Sequence, residues 1–151
     1  MTNTPTTAIL DQVLALVTLF SSDMERSDRE LGLSPSRTHL LWLLQLNGPQ
    51  TQRQLAESMT VSPRNITGLV DALVGTGFVT REPHPDDRRA VLVTLTTHGH
   101  DTMTRMEADH EQLADDLLRD LSPDRRERFS ADVATVTATL AQLIAEHEAS
   151  Q

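Results

Sequence analysis

Residues 62–73 read SPRNITGLVDAL, and this stretch decides the fold. The Ser62 hydroxyl can accept a hydrogen bond from an unpaired backbone N–H, and Pro63 suits the first position of a helix. Apolar residues then recur at helical spacing and form one stripe for a core: Ile66, Leu69, Val70 and Leu73. The stretch therefore predicts a capped helix with one buried face.

The opposite face of this helix is polar and carries Arg64, Asn65, Thr67, Gly68 and Asp71. Arg and Asn are the side chains that make bidentate contacts to guanine and adenine edges in the major groove of DNA. A glycine inside a helix costs about 1 kcal/mol relative to alanine, and close approach of the helix to DNA would offset that cost. We therefore expect the first three residues to contact bases and Gly68 to allow the approach.

A second predicted helix lies immediately upstream. Residues 51–54, Thr-Gln-Arg-Gln, match a capping box, in which side chains and backbone N–H groups of the first turn bond reciprocally. Leu55 and Ala56 would face the core, and the helix would end near residues 59–61. Two helices joined by so short a turn, the second with a polar outer face, form a helix-turn-helix.

A strand–loop–strand unit follows a turn at residues 75–77. The first strand is predicted over residues 78–81 and a Pro-rich loop over residues 82–89. The second strand has three apolar residues on one face: Val91, Val93 and Leu95. Such a unit would be a wing, with Arg88 and Arg89 at its tip for phosphate or minor-groove contact.

These motifs resemble the MarR family of winged-helix transcription regulators. The resemblance rests on these segments: Gln54-Leu55-Ala56, residues 62–73 with Gly77-Phe78-Val79-Thr80-Arg81, and Asp87-Arg88-Arg89 leading to Leu95-Thr96 and Gly99. It implies a mainly α (α+β) fold, a winged helix-turn-helix with long N- and C-terminal dimerisation helices. It also implies a homodimeric repressor that binds a pseudo-palindromic operator in double-stranded DNA and is released by a small molecule.

The same resemblance implies roles for individual residues. The predicted helix over residues 62–73 would be the recognition helix and would lie in a major groove. Ser62, Arg53 and Arg81 would contact phosphate or support that helix. Asp87 would hold the wing by pairing with an Arg, and one arginine of the wing tip would enter the adjacent minor groove.

Long apolar stripes lie at both ends of the chain. The N-terminal stripe precedes a charged segment at residues 23–30 and consists of Ile9, Val13, Leu16, Val17, Phe20 and Met24. Two C-terminal stripes are separated by a Ser-Pro break at residues 122–123: Met103, Met106, His110, Leu113 and Leu117, then Phe129, Val133, Val136, Leu140, Leu143 and His147. Stripes of this length exceed what the central lobe can cover, so they indicate a helical dimer interface. The alternative is packing of the first and last helices within one chain.

This pattern predicts one domain over residues 1–151. Within it, residues 33–98 would form the winged helix-turn-helix DNA-binding lobe. Residues 8–31 and 99–148 would form the helical dimerisation region.

The charge of the chain is unevenly distributed. The net charge is −9, but residues 36–90 hold six Arg and five Asp or Glu and are the only part that is not strongly acidic. DNA association depends on the local field near the phosphates, so the total does not exclude it. Cysteine is absent, which excludes disulfides and thiol sensing. We find no signal peptide and no apolar run near the length of about 18 residues needed to cross a membrane, and we expect a cytoplasmic protein.

The sequence gives little support for catalysis or for metal binding. The nucleophile-elbow and phosphate-loop patterns are absent, so we do not expect an enzyme. The six histidines form no evident ligand set, and we expect no metal or other cofactor.

A ligand pocket is expected from the family resemblance. Thr38, His39 and Trp42 lie where the family has a cleft that takes small aromatic or anionic effectors, although plain core packing also accounts for Trp42. The alternative function is a winged helix that binds a protein or senses a ligand without binding DNA. Such a module should have an apolar outer face on the 62–73 helix.

Overall fold

The computed structural model describes residues 4–87 and 89–150. Within them the chain forms six helices and three strands, in this order: α1 Thr6–Glu30, α2 Pro35–Asn47, β1 Gln50–Thr51, α3 Gln52–Met59, α4 Pro63–Gly75, β2 Val79–Pro83, β3 Val91–Leu95, α5 Thr97–Leu118 and α6 Pro123–Ala149. The predicted class, mainly helical with a small sheet, is confirmed.

Proline marks the start of three helices. α2, α4 and α6 begin at Pro35, Pro63 and Pro123, each directly after a serine in extended conformation. The hydroxyl of Ser62 accepts a hydrogen bond from the α4 backbone. Those of Ser34 and Ser122 make no such bond, so at these two helices proline and the extended residue before it define the start.

The core lies where α2, α3 and α4 meet the sheet and the start of α5. Its buried apolar side chains come from every one of these elements: Leu40, Leu41, Leu44, Leu55, Ile66, Val70, Leu73, Val79, Val93 and Met103. The predicted inward positions Leu55 and Ala56 are both buried. In the predicted stripe of α4 three residues are buried and Leu69 is half-buried. The apolar face of α4 is therefore packed against the core.

The sheet has the antiparallel order β1-β3-β2. Arg81 pairs with Val93 and Pro83 with Val91, so β2 continues two residues beyond the predicted end at residue 81. Pairing with β3 extends the strand, and the local Pro-rich composition does not reveal that partner. Of the three apolar residues predicted to share a face of β3, Val93 is buried, Leu95 is half-buried and Val91, near the tip, is exposed.

The charged segment at the end of α1 remains helical to Glu30. One of its charges is not solvated, because Asp28 is only 4% exposed. The Thr38 hydroxyl of α2 donates a hydrogen bond of 2.6 Å to the Asp28 carboxylate. Asp28 therefore ties α1 to α2.

The described parts of Met1–Arg105 and of Met106–Gln151 form two compact units. In the first unit, the apolar stripe of α1 is exposed, including Leu16 and Met24. In the second unit, α6 buries none of its residues, and its stripe from Phe129 to Leu143 is exposed. Each unit therefore presents an apolar helix surface that it does not cover itself.

α1 also contains an 18-residue window of mean hydropathy 1.3, none of which is buried. By length and composition alone such a helix could cross a membrane, whereas the sequence analysis expected no membrane-spanning segment. Asp11 and Gln12 interrupt its apolar surface.

Candidate nucleic-acid interface

The helix before the recognition helix is fixed by reciprocal bonds at its first turn. Thr51 Oγ1 accepts a hydrogen bond from the Gln54 N–H at 3.2 Å, and Gln54 Oε1 accepts one from the Thr51 N–H at 2.9 Å. This is the predicted capping box, and both partners are local in sequence. It places Gln52 and Arg53 in the first turn of α3.

The recognition helix α4 presents the predicted polar face to solvent. Ser62 Oγ accepts the Asn65 N–H at 3.2 Å, which leaves its own O–H free to donate to a phosphate. Arg64 and Asn65 are exposed, and their side chains make no hydrogen bond or ion pair with another described residue. Their donors are therefore available for base edges.

Thr67 is exposed, but its hydroxyl already has two partners. It donates to the Pro63 carbonyl at 2.9 Å and accepts from Gln52 Nε2 at 3.2 Å. The second bond ties α3 to α4. The methyl group of Thr67 stays free, and contact with a thymine methyl is the base contact that it can still make.

The space in front of Gly68 is empty. A Cβ atom added there would meet no atom within 4 Å. Packing inside the protein therefore does not require a glycine at this position, which agrees with the prediction that Gly68 allows close approach of DNA.

Two arginines predicted near phosphate are engaged in ion pairs. Arg81 on β2 pairs with Asp71 on α4 at 2.5 Å, and Arg53 pairs with Glu57 one turn along α3 at 3.0 Å. The Arg53 side chain is 88% exposed and can leave its partner at little cost. The Arg81 side chain is 34% exposed and joins two elements, so it supports the recognition helix.

The wing tip is organised by a histidine that sequence reasoning missed. His84 Nδ1 accepts hydrogen bonds from the backbone N–H groups of Asp86 and Asp87, at 3.1 and 3.2 Å. Asp87 Oδ1 accepts the backbone N–H of Arg89 at 2.9 Å. Asp87 therefore bonds to the backbone of Arg89 at the wing tip. Its expected pairing with an Arg stays a prediction, because Arg88 lies outside the described residues. The Arg89 side chain is exposed.

The root of the wing is joined tightly to the start of α5. Thr96 Oγ1 donates to the Gly77 carbonyl at 2.6 Å and accepts the Gly99 N–H at 3.0 Å, as an N-cap side chain does. A Cβ atom on Gly99 would lie only 2.1 Å from the Phe78 carbonyl oxygen. Gly99 is therefore required by close packing, in contrast to Gly68.

Comparison with known proteins relates this arrangement to one protein family. The model of the MarR family matches residues 33–91. The HTH-type transcriptional regulator YkoM of Bacillus subtilis is 30% identical over 104 residues, which are 69% of this chain and 68% of that protein. The regulator ML2140 of Mycobacterium leprae is 32% identical over 103 residues, 67% of this chain and 72% of that protein. The chain belongs to the MarR family.

Solved structures agree with this assignment. A MarR-like transcriptional regulator of Thermotoga maritima superposes with a TM-score of 0.71 at 26% identity, over 92% of this chain and 99% of that one. RV1404 of Mycobacterium tuberculosis superposes with a TM-score of 0.76 at 23% identity, over 91% of this chain and 96% of that one, which shows the shared fold. As a MarR-family member, this protein is a DNA-binding transcriptional regulator with a winged helix-turn-helix.

The three residues assigned to a MarR-type ligand pocket have different environments. Thr38 is buried and bonded to Asp28, His39 is exposed, and Trp42 is half-buried one turn after Thr38. Asp28 places a carboxylate beside Thr38, and only the folded structure reveals it.

A groove of about 870 Å³ lies elsewhere, between α3 and α4, and is lined by residues that include Arg53, Thr60 and Pro63.

Proposed function

We propose that this MarR-family protein acts as a homodimeric repressor that binds a pseudo-palindromic operator and is released by a small-molecule effector. The observation that carries the proposal is the outer face of α4. Its inner residues are buried, while the side chains of Arg64 and Asn65 are exposed and have no bonding partner in the described part of the chain. Those donors fit base edges in a major groove.

The rest of the lobe supports this docking. The Ser62 hydroxyl at the start of α4 and the exposed Arg53 at the start of α3 would bind phosphates on the two sides of the recognition helix. Arg89 at the wing tip would enter the adjacent minor groove, where narrow A·T-rich sequence favours arginine. Phosphate contacts of this kind position the protein, and the contacts of α4 select the sequence.

Dimerisation would cover the apolar surfaces that the chain leaves exposed on α1 and α6. Large exposed apolar surfaces are rare on monomers and mark interfaces. A two-fold dimer would present two recognition helices to successive major grooves, which requires half-sites about one helical turn apart. The matched relatives are transcriptional regulators, so we assign the apolar surface of α1 to this interface rather than to a membrane. The protein would act in the cytoplasm.

The effector site would lie near Trp42, His39 and Thr38. A ligand there can release DNA only if it binds the free geometry more tightly than the DNA-bound one. The Asp28–Thr38 bond joins α1 to α2 at this place, so a ligand that disturbs it would alter the support of the DNA-binding lobe. We expect a small aromatic or anionic compound, with the aromatic group against Trp42.

A gel-shift titration with the DNA upstream of the protein's own gene tests operator binding. We expect a retarded complex at nanomolar protein, since specific protein–DNA affinities are about 10⁻⁸ to 10⁻¹¹ M, and weaker binding by Arg64→Ala. Equal retardation of an unrelated duplex of the same length would contradict sequence-specific binding.

The effector is tested by the fluorescence of Trp42, the single tryptophan. Phenolic acids are titrated into the protein–operator complex while quenching and DNA release are followed together. We expect release at the concentrations that quench, with a coupling of about 1–3 kcal/mol. Compounds that quench Trp42 without changing DNA affinity would contradict release by ligand.

The alternative, an interaction module that does not bind DNA, is disfavoured by the same α4 face. A protein-binding surface buries apolar and aromatic side chains at its centre. The exposed face of α4 instead carries Arg64, Asn65, Thr67 and Asp71.

A further inference from the structure

The turn between α3 and α4 is built on a strained residue. Thr60 has φ 53° and ψ 47°, the left-handed helical conformation, and it is the one residue other than glycine with positive φ in the described part of the chain. Other positions with positive φ are occupied by Gly32, Gly48 and Gly77. A β-branched residue is strained in this conformation because its side chain crowds the backbone.

The turn itself does not need this side chain. The Thr60 N–H bonds to the Glu57 carbonyl at 3.2 Å, and the Val61 N–H bonds to the Ala56 carbonyl at 3.0 Å. Both bonds use backbone atoms alone and form the helix end that glycine adopts most easily. Glycine at position 60 would therefore keep the turn and remove the strain.

Within the described part of the chain, the Thr60 hydroxyl also has no hydrogen-bond partner. Thr60 is exposed, and no described residue donates to its hydroxyl or accepts from it. By contrast, the hydroxyls of Thr67 and Thr76 donate to carbonyls four residues earlier, each at 2.9 Å. The Thr60 hydroxyl is thus a free donor on the surface.

This free donor lies on the surface that the proposed function assigns to DNA. Thr60 lines the groove between α3 and α4 together with Arg53, Pro63 and Thr67, and it lies two residues before Ser62. Arg53 and Ser62 are the two residues expected to bind phosphates beside the recognition helix. The Thr60 hydroxyl shares the groove with Arg53 and lies two residues before Ser62, which suits it to the same kind of contact.

We propose that Thr60 is a further DNA contact, whose hydroxyl donates a hydrogen bond to a phosphate oxygen beside the recognition helix. The inference rests on the proposed function, since it needs DNA on this face. Ser and Thr commonly bind phosphate oxygens, and such contacts fix position without reading sequence. The strain of the turn is then retained because the side chain serves binding and not folding.

Three variants separate the effect of Thr60 on the stability of the turn from its proposed contact with DNA. Thr60→Gly removes strain and hydroxyl, Thr60→Val keeps the β-branched strain but removes the hydroxyl, and Thr60→Ser keeps the hydroxyl. Each is compared with the wild type for thermal unfolding and for Kd, on a duplex selected from a random library and on an unrelated duplex of the same length. The salt dependence of Kd is measured for each protein with each of the two duplexes.

We expect Thr60→Gly to raise Tm by a few degrees and, like Thr60→Val, to weaken binding to both duplexes about tenfold, as loss of a hydrogen bond to a charged group does. Thr60→Ser should bind like the wild type. The ratio of the two Kd values and the salt slope should not change, because a neutral hydroxyl reads no base and releases no counter-ion.

Wild-type affinity in both Thr60→Gly and Thr60→Val would overturn the proposal, even if Tm rises, while leaving the proposed function intact. A shallower salt slope would also overturn it, because the lost contact would then be ionic. Failure of the wild type to bind any duplex would overturn the proposed function and this contact together. If Thr60→Val does not fold, the comparison of Thr60→Gly with Thr60→Ser decides.

Discussion

Arg81 Nη2 lies 2.5 Å from Asp71 Oδ1, and this ion pair joins the first strand of the wing to the recognition helix. One turn earlier on the same helix, Gln52 Nε2 donates to Thr67 Oγ1 at 3.2 Å. α4 is thus held by one polar side-chain contact from β2 and one from α3. The orientation of α4 in the lobe therefore depends on these polar contacts as well as on its buried apolar face.

The Arg81–Asp71 pair should act on specificity more than on stability. Because the pair is partly exposed, Arg81→Ala and Asp71→Ala should each change the free energy of unfolding by less than about 1 kcal/mol. Each should lower the ratio of cognate to non-cognate DNA affinity, and the double variant should lower it no further, since one shared contact is lost. Gel-shift titrations of the four proteins measure this cycle.

Glu57→Ala is the matched control, because the Arg53–Glu57 pair lies within α3 and joins no two elements. It should leave the affinity ratio unchanged. If Arg81→Ala instead weakened binding to both duplexes equally with a shallower salt slope, Arg81 would be a phosphate contact and not a positioning residue.

Alanine variants of Arg64 and Arg89 should distinguish a residue that recognises bases from one that positions the protein on DNA. Arg64→Ala should cost about 1–3 kcal/mol on the preferred operator and relax its sequence preference, as loss of a bidentate base contact does. Arg89→Ala should weaken binding with less change in preference and reduce the salt slope by about one unit. An unchanged ranking of operator variants in Arg64→Ala would remove its base-reading role.

Substitution of two glycines by alanine should change the stability of the fold in opposite directions. Gly99→Ala places a Cβ atom 2.1 Å from the Phe78 carbonyl oxygen and should destabilise the fold by about 1–3 kcal/mol in urea unfolding. Gly68→Ala meets open space and should stabilise the fold by up to about 1 kcal/mol, while weakening DNA binding. Unchanged DNA affinity in Gly68→Ala would show that close approach does not need this glycine.

Features set by neighbouring residues could be predicted from the sequence. The capping box of Thr51 and Gln54 and the cap of α4 by Ser62 depend on residues three apart. The buried faces of α3 and α4 follow from helical spacing. These short-range rules were enough to place the helix-turn-helix and the outer face of its second helix.

Features set by distant partners could not be predicted. Burial of Asp28 depends on Thr38 of the next helix, and the extension of β2 depends on pairing with Val91. The Arg81–Asp71 pair joins residues ten apart across two elements. The left-handed Thr60 was missed for another reason: the residue type argues against the conformation, so only the structure reveals the strain.

The apolar stripe of α6 should be buried between protomers. Leu140→Asp would place an unpaired charge in that interface and should split the dimer, with loss of DNA affinity, because the two recognition helices are then no longer held together. Ala138→Asp lies on the opposite side of α6 and is the matched control, expected to remain dimeric. Analytical ultracentrifugation of both variants measures the effect, and a stable Leu140→Asp dimer would place the interface elsewhere.

The central claim is that a dimer of this chain reads DNA sequence through α4. Selection of duplexes from a random library by the full-length protein tests it most directly. We predict enrichment of a pseudo-palindrome with half-sites about one helical turn apart, and loss of that enrichment with Arg64→Ala. Enrichment of single half-sites, or of no sequence at all, would contradict the account.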